Sequence, residues 1–461
     1  MSAMNSPSAA PVDPAHHTPP PPARKRRHGW RNFFLLVIVL LLLLVVAAVA
    51  GNRHTVPDRA PQTVQATPQQ LKQGEYLTRM GDCIACHTAV NGQPFAGGFP
   101  LQTGFGTIYG TNITADPDHG IGRWNADEFY RAVANGTAPG GRQLYPAMPY
   151  ASYHQIKRED SDLIYAYLLR QPPSARANQK PEMPFPFNLR VLMLGWKMLY
   201  HHKDELPVAS QGQSVEWQRG RYLGNVLGHC AECHTPRTQL GGMDNSKWLT
   251  GSTLGLFAAP DITSAQLAER GWTPANLHDF LTRGYSTSGS AFDEMHPVIA
   301  NSTQYLSADD AKAVVTFLMG DTPPAAKVLP IPAPNPAKLI AGQDHYMALC
   351  ASCHGSQGLG RQLTMPPLLG NSTVRQPDGR NLVLAILVGL PKRSGAEGGP
   401  TALPGMPGFA NDLDDQAIAD LSNYVRGQMG ALPGGQGSDI TAARVAELRA
   451  AAKKANRAIA P

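Results

Sequence analysis

The sequence predicts a mainly α-helical chain in which three similar units follow an N-terminal apolar segment. Three observations support this class: the motif C-x-x-C-H occurs three times, helix-like segments precede and follow each copy, and a proline-rich stretch separates the last two copies. Hydrophobic residues make up 42% of the 461 positions, which is enough for packed cores. Charged residues make up only 16%, which excludes a coiled coil.

The positive charge of the chain is concentrated at its N-terminus. Of the formal net charge of +6, residues 1–53 contribute +5, because six Lys or Arg residues there face one acid, Asp13. The rest of the chain is close to neutral, so it lacks the basic surface of a nucleic-acid-binding protein. We therefore expect no nucleic acid among its partners.

All six cysteines lie in the three motifs. The motifs comprise Cys83, Cys86 and His87; Cys230, Cys233 and His234; and Cys350, Cys353 and His354. Cysteines three residues apart on a helical turn face the same side, where both add to the vinyl groups of one haem, and the adjacent imidazole becomes an axial ligand of the iron. A redox dithiol does not need that histidine, and a zinc site needs a second nearby ligand pair. The motifs therefore predict three covalently bound haem c groups.

A methionine follows each motif at a similar distance along the sequence. Met148 and Met295 each lie 61 residues after the histidine of their motif, and Met406 lies 52 residues after His354. A thioether is a common sixth ligand of low-spin haem iron, so we predict these three methionines as axial ligands. Met365 is the alternative to Met406, but it lies much closer to the haem cysteines.

Repeated residues around the motifs define three tandem class I cytochrome c-like domains, at 70–175, 213–320 and 338–430. A glycine precedes each motif, and a helix-like segment after each methionine carries an aromatic residue near its end. The glycines are Gly74, Gly220 and Gly342, and the aromatic residues are Tyr167, Phe317 and Tyr424. Ser307 and Asp310 predict a capping box at the start of the second such helix.

The first two domains share a further pattern. Residues 112–114 (Asn-Ile-Thr) precede Trp124, and residues 261–263 (Asp-Ile-Thr) precede Trp272. These tryptophans either pack in the core or approach haem propionates, and we favour the core.

The remaining segments are linkers and termini. Residues 176–212 link the first two domains and contain an apolar run, 185–200, that either covers a haem domain or docks on a partner or membrane surface. Residues 321–337 form a proline-rich linker, and residues 431–461 predict a solvated tail helix. Residues 1–32 predict a disordered cytoplasmic N-terminus.

Residues 33–50 are 18 consecutive apolar residues that follow a cluster of Arg and Lys. This pattern predicts an uncleaved transmembrane anchor over 33–52, with the N-terminus in the cytoplasm and the haem domains in the periplasm. A cleaved signal peptide is the alternative, because residues 48–50 (Ala-Val-Ala) match a cleavage site. The expected location is thus the inner membrane, as a single-pass protein.

At this point the chain resembles a known family. The three motifs, together with residues 97–100 (GGFP), 106–109 (GTIY), 145–150 (YPAMPY), 230–237 (CAECHTPR) and 423–426 (NYVR), are similar to the triheme cytochrome c subunits of bacterial membrane-bound dehydrogenases over about residues 70–430. The resemblance implies a subunit that is not an enzyme on its own. It implies electron transfer from a catalytic dehydrogenase subunit, with an iron–sulfur subunit as a further candidate partner, to ubiquinone in the membrane.

The resemblance leaves the catalytic partner open. The uncleaved anchor and residues 184–190 and 195–197 resemble the subunits of molybdenum-dependent aldehyde dehydrogenases more than those of pyrroloquinoline-quinone alcohol dehydrogenases or flavin-dependent sugar and gluconate dehydrogenases. A membrane-tethered donor to a terminal oxidase is another alternative. A haem enzyme such as a peroxidase is disfavoured, because every haem has a candidate methionine.

Overall fold

The computed structural model describes residues 28–51, 60–201, 212–253, 255–327, 336–362, 364–393, 402–430 and 439–455. The chain divides into two compact units, Met1–Gly51 and Asn52–Pro461. Residues 1–27, which make up most of the predicted disordered N-terminus, lie outside the described residues. So do 328–335 of the proline-rich linker and 202–211 of the first linker.

The first unit contains one described helix, α1 (His28–Gly51), where the sequence predicts the membrane anchor. Within the described part of the chain, no helix is both long and apolar enough to cross a membrane. This finding contradicts the predicted single-pass anchor and the inner-membrane location that follows from it.

The second unit is built mainly from short helices. We call residues 70–175, 213–320 and 338–430 segments I, II and III. Segment I and its N-terminal flank contain α2 (Pro68–Met80), α3 (Cys83–His87), β1 (Pro100–Thr103), β2 (Gly106–Tyr109), α4 (Ala126–Asn135), β3 (Thr137–Ala138), β4 (Arg142–Gln143), α5 (Tyr150–Tyr153) and α6 (Arg158–Leu168). Helix α7 (Leu192–Tyr200) lies in the linker that follows.

Segment II contains α8 (Val215–Arg221), a π-helical turn (Tyr222–Leu227), α9 (Ala231–His234), α10 (Ser264–Glu269), α11 (Pro274–Arg283), β5 (Tyr285–Ser286), β6 (Gly289–Ser290), α12 (Met295–Asn301) and α13 (Ala308–Met319). Segment III and the following tail contain α14 (Pro336–Leu349), α15 (Ala351–His354), α16 (Arg380–Val388), α17 (Asp415–Gln428) and α18 (Ala442–Lys454). Among the residues that the structure describes, six strands form three separate two-stranded antiparallel hairpins.

Each segment is organised around one crossing of two helices: α2 packs on α6, α8 on α13, and α14 on α17. A glycine stands at each crossing, and it is the glycine that the sequence repeat singles out. A Cβ on Gly74, Gly220 or Gly342 would lie 2.2, 1.8 or 2.3 Å from a backbone carbonyl oxygen of the partner helix. The Cβ atoms of Tyr167, Phe317 and Tyr424 pack against the same glycines. Only glycine therefore allows the two backbones to approach this closely.

The buried side chains form two clusters rather than three. One cluster combines segments I and II and includes Leu77, Tyr165, Trp217 and Trp272. The other combines segment III with α18 and with Leu256 of segment II. Segments I and II thus share one core, so they do not have the separate cores expected of independent domains.

Helix α18 differs from the predicted solvated tail. Val445, Leu448 and Ala452 are buried against segment III, because they form one narrow apolar stripe. Arg449 Nε also binds Asp415 at 2.7 Å. The alanine-rich composition suggested an exposed helix, although one face of it packs on segment III.

Candidate haem-binding site

The three C-x-x-C-H motifs adopt one local structure. Each lies at a short helix (α3, α9 or α15), and the six cysteines form no disulfide. In the described ranges no cluster of three or more His, Cys, Asp or Glu side chains is arranged to hold a metal ion directly. The motifs are therefore separate sites, each with two thiols and one imidazole.

All three motif histidines are oriented by a backbone carbonyl. The Nδ1 atom of His87 lies 2.6 Å from the carbonyl oxygen of Thr111, that of His234 2.6 Å from Pro260, and that of His354 2.9 Å from Pro366. Burial lowers the pKa of each histidine, so the neutral imidazole is favoured. Because Nδ1–H donates to the carbonyl, the Nε2 lone pair stays available for iron. The donor set therefore fits haem.

The histidine backbone is fixed in the same way in each motif. The carbonyl oxygens of His87, His234 and His354 accept from Gly97 N at 2.7 Å, Gly251 N at 2.8 Å and Gly360 N at 2.8 Å. All three glycines have positive φ, and a Cβ on any of them would meet backbone atoms at 2.8 Å or less. This close approach requires glycine and holds the histidine from both ends.

The shared pattern at 112–114 and 261–263 has a structural role. Asn112 Oδ1 accepts from Thr114 N and Oγ1 at 3.0 and 2.7 Å, and Asp261 Oδ1 accepts from Thr263 N and Oγ1 at 2.8 and 2.6 Å. Each turn directly follows the carbonyl that orients the histidine. The pattern therefore fixes the chain where it contacts the imidazole.

The cysteines lack the activation of a redox dithiol. Burial raises the pKa of Cys83 and Cys230 to about 12 and that of Cys350 to about 11. A catalytic dithiol needs a lowered thiol pKa. The first cysteine of each motif therefore has a raised thiol pKa, which disfavours the redox alternative.

The predicted methionine ligands are all partly buried, and their role as ligands stays a prediction. Met148 is partly buried in a turn between Tyr145 and Tyr150, with its backbone bonded to both. Met295 packs at the edge of the core that contains Cys83, and Met406 at the edge of the core that contains Cys350. Met365 pairs through its backbone with Arg361, as Met243 of segment II pairs with Arg237.

The first two motifs face one another across the boundary between segments I and II. Burial raises the pKa of Cys86 to about 12, and the nearby Asp82 of its own segment and Cys233 of segment II raise it further. Glu232, inside the second motif, accepts from Ser152 of segment I at 2.8 Å and binds Arg237 at 2.5 Å. Helix α12, which begins at Met295, packs against α3 of the first motif.

Two residues at this boundary were not singled out from the sequence. Asp82 and His229 directly precede the first cysteine of their motifs and have φ values of 46° and 37°. Tyr153 donates from its hydroxyl to Gly81 O at 2.7 Å, and its ring lies 5.7 Å from that of His229. The repeated position before the motif was the available signal, although aspartate and histidine share no obvious chemistry.

The apolar run at 185–200 packs against both segment I and segment II. Trp196 is buried and donates from Nε1 to Leu240 O at 3.0 Å, and Arg190 donates to Gln143 O at 2.9 Å. Phe185 and Met198 nevertheless remain 77% and 81% exposed. Trp272 is a core residue whose Nε1 donates to Ser372 Oγ at 2.9 Å, as the core interpretation predicts.

Known proteins are similar to this chain. The family model described as cytochrome c matches residues 339–428. The cytochrome c subunit of alcohol dehydrogenase (quinone) from Gluconacetobacter polyoxogenes is 35% identical over 408 residues, covering 84% of this chain and 86% of the relative. The gluconate 2-dehydrogenase cytochrome c subunit of Pantoea cypripedii is 36% identical over 84% and 90%. The fructose dehydrogenase cytochrome subunit of Gluconobacter japonicus is 32% identical over 88% of each chain.

Proposed function

Since the chain belongs to the family of cytochrome c subunits of alcohol, gluconate and fructose dehydrogenases, we propose that it carries three haem c groups and passes electrons from a catalytic dehydrogenase subunit to ubiquinone. One observation supports the number of sites: the three motif histidines share a carbonyl partner at Nδ1 and a glycine N–H at the carbonyl oxygen. Cytochrome c haem is covalently bound, and its iron, when present, carries one electron per cycle.

In this proposal the protein's own residues hold the cofactors. The cysteine pairs attach each haem, the motif histidine supplies the fifth iron ligand, and Met148, Met295 and Met406 supply the sixth. Two protein ligands keep the iron low-spin and leave no position for a substrate. The chain therefore relays electrons for a catalytic partner and needs no acid, base or nucleophile of its own.

For the partner we propose an alcohol- or sugar-oxidising dehydrogenase. Relatives whose names state alcohol, gluconate and fructose oxidation align over 84% to 88% of the chain. The molybdenum-dependent aldehyde dehydrogenase, which residues 184–197 favoured, receives no specific support from these relatives. The molybdenum, flavin and pyrroloquinoline-quinone content of the copurified complex distinguishes the three types, and molybdenum with neither of the others would reject the alcohol or sugar assignment.

The haem proposal is tested by counting and by spin state. The pyridine haemochromogen assay should give three haems per chain, and the ferric spectrum at pH 7 should be entirely low-spin. Met148→Ala, Met295→Ala and Met406→Ala should each convert one haem of three to the high-spin form. Met365→Ala is the matched control and should leave all three low-spin.

Two results would contradict this assignment. Fewer than three haems in the purified chain would refute the relay as proposed. A high-spin signal in Met365→Ala together with a low-spin Met406→Ala would exchange the two methionines in segment III. Ubiquinone reduction by the complex, measured with and without added oxidase inhibitor, separates the quinone route from delivery to a terminal oxidase.

A further inference from the structure

The hairpins that lead to Met148 and Met295 are built alike. Helix α4 ends at Gly136 (φ 59°) and helix α11 at Gly284 (φ 67°), and a two-stranded hairpin follows each glycine. The glycine carbonyl closes its hairpin by accepting from Leu144 N at 2.8 Å or from Ala291 N at 2.9 Å. The methionine comes four residues after the closing N–H in both segments.

The carbonyl oxygens of Gly136 and Gly284 each accept a second hydrogen bond, from a partly or fully buried cationic side chain that lies later in the chain. Lys197 of α7 donates from Nζ to Gly136 O at 2.8 Å and to Gln143 Oε1 at 2.7 Å. Arg393 of segment III, which is 6% exposed, donates from Nη2 to Gly284 O at 2.9 Å and from Nη1 to Ala291 O at 2.6 Å. Two different residue types from unrelated segments thus place positive charge at equivalent points.

Arg393 also connects the second methionine hairpin to the third. Its backbone pairs with Leu403 at 3.0 and 3.2 Å, and on the same ladder Leu390 pairs with Met406 through two bonds of 2.9 Å. The guanidinium therefore joins the strand that runs to Met406 to the hairpin that runs to Met295. A planar fork with several donors suits this contact with two carbonyls better than an ammonium group does.

Reduction of haem iron adds one negative charge, so a fixed cation nearby favours the reduced state, and its effect is larger away from water. We propose that Lys197 and Arg393 are positioning residues that hold the hairpins bearing Met148 and Met295 and raise the reduction potentials of the haems that these methionines face. The inference rests on the proposed function, because it requires methionine-ligated haems.

The test is a redox titration of the full-length protein followed by optical spectroscopy at pH 6. Lys197 is charged there, since burial lowers its pKa only to about 8. Lys197→Met and Arg393→Gln should each shift one of the three one-electron steps to lower potential, and the double variant should shift two. The ferrous-to-ferric ratio of the affected haem at fixed ambient potential should fall on the order of tenfold, because one buried unit charge is removed.

Charge-conserving variants separate the electrostatic role from packing. Lys197→Arg and Arg393→Lys should keep the wild-type potentials even if they lower the melting temperature. Arg380→Gln is the matched control, because Arg380 also joins segments II and III, binding Leu256 O at 2.8 Å, but it lies on helix α16 and not on the ladder that runs to Met406. It should leave all three potentials unchanged.

Three outcomes would overturn the inference: equal shifts in the neutral and charge-conserving variants, no shift in either neutral variant, or an equal shift in Arg380→Gln. Haem count and spin state are measured on the same samples. A wild-type protein without three low-spin haems would refute the proposed function, and with it the premise of this inference. Three low-spin haems with unshifted potentials would refute the inference alone.

Discussion

Segments I and II contact each other reciprocally, whereas segment III contacts segment II in a different way. Tyr76 of segment I donates to Asp310 of segment II at 2.5 Å, and Tyr222 of segment II donates to Asp160 of segment I at 2.5 Å. The two tyrosines occupy the same place in the repeat before the motif, and the two aspartates lie in the first turns of α6 and α13. The contacts are thus related by an exchange of the two segments.

In the described residues, the contacts between segments II and III are not reciprocal in this way. Asn381 of α16 makes two bonds of 2.8 Å to the backbone of Ala258, and Ser372 accepts from Trp272. The chain also enters the third motif differently, because Leu349 ends helix α14 where segments I and II have the left-handed residues Asp82 and His229. Sequence repetition is therefore not enough to predict how repeated units pack. Segments I and II form a pair with one core, and segment III is attached to that pair.

The largest expected effect comes from the helix-crossing glycines. In Gly220→Ala the new Cβ would lie 1.8 Å from the carbonyl oxygen of Ala313, so α8 and α13 must separate, and we expect a loss of more than about 3 kcal/mol of folding free energy. Because segments I and II share a core, hydrogen exchange should increase in both. Gly342→Ala should instead increase exchange mainly in segment III.

The control for Gly220→Ala and Gly342→Ala is Gly195→Ala in α7, where a new Cβ would have no described atom within 4 Å. It should be neutral or slightly stabilising, because alanine favours a helix. Unchanged protection of segment I in Gly220→Ala would show that the shared cluster is not a cooperative unit.

The next effect concerns Asp82, the left-handed residue before the first motif, whose position in segment III is taken by the helical Leu349. The residue is 8% exposed, its Oδ1 has no hydrogen-bond partner among the described residues, and burial raises its pKa to about 8. Between about pH 4 and pH 8 the native state keeps a proton that the unfolded state has lost. Stability therefore decreases as pH rises through this range and levels off above pH 8, by up to about 1.4 kcal/mol per pH unit.

Asp82→Asn should remove this decrease. Asparagine accepts the left-handed backbone, so the variant should gain stability over the wild type as pH rises from 5 to 8. Urea unfolding across that range measures the effect, and Asp412→Asn, a change at an exposed carboxylate, is the control. A constant difference between Asp82→Asn and the wild type at every pH would mean that the Asp82 carboxyl does not titrate with unfolding.

The sequence predicted features that depend on neighbours in the chain. Glycine and aromatic residues at repeated positions mark the helix crossings, and Ser307 caps α13 by accepting from Asp310 N at 3.2 Å. The capping box is incomplete, however, because the Asp310 carboxylate binds Tyr76 and Arg219 instead. A serine and an acid three residues apart fit a local cap equally well, so nothing near Asp310 in the sequence indicates a partner 234 positions away.

The cation contacts show the same limit. Lys197 and Arg393 share neither residue type nor flanking sequence, and only the folded chain brings them to equivalent carbonyls. The methionine spacing of 61 residues, by contrast, reflects two hairpins of matching construction and was visible from counting alone. Repeats that are local in sequence could be predicted, and contacts made between repeats could not.

The smallest expected effect tests the reciprocal bonds themselves. Tyr222→Phe removes the hydroxyl that binds Asp160 and should cost about 1 kcal/mol. Tyr76→Phe should cost less, because Arg219 still binds both oxygens of Asp310 at 2.7 Å. Tyr305→Phe, at an exposed ring over which Arg79 stacks, is the control and should change little. Urea unfolding at pH 7 gives the three values. If Tyr76→Phe costs more stability than Tyr222→Phe, the two bonds from Arg219 to Asp310 do not compensate for the lost Tyr76 hydroxyl.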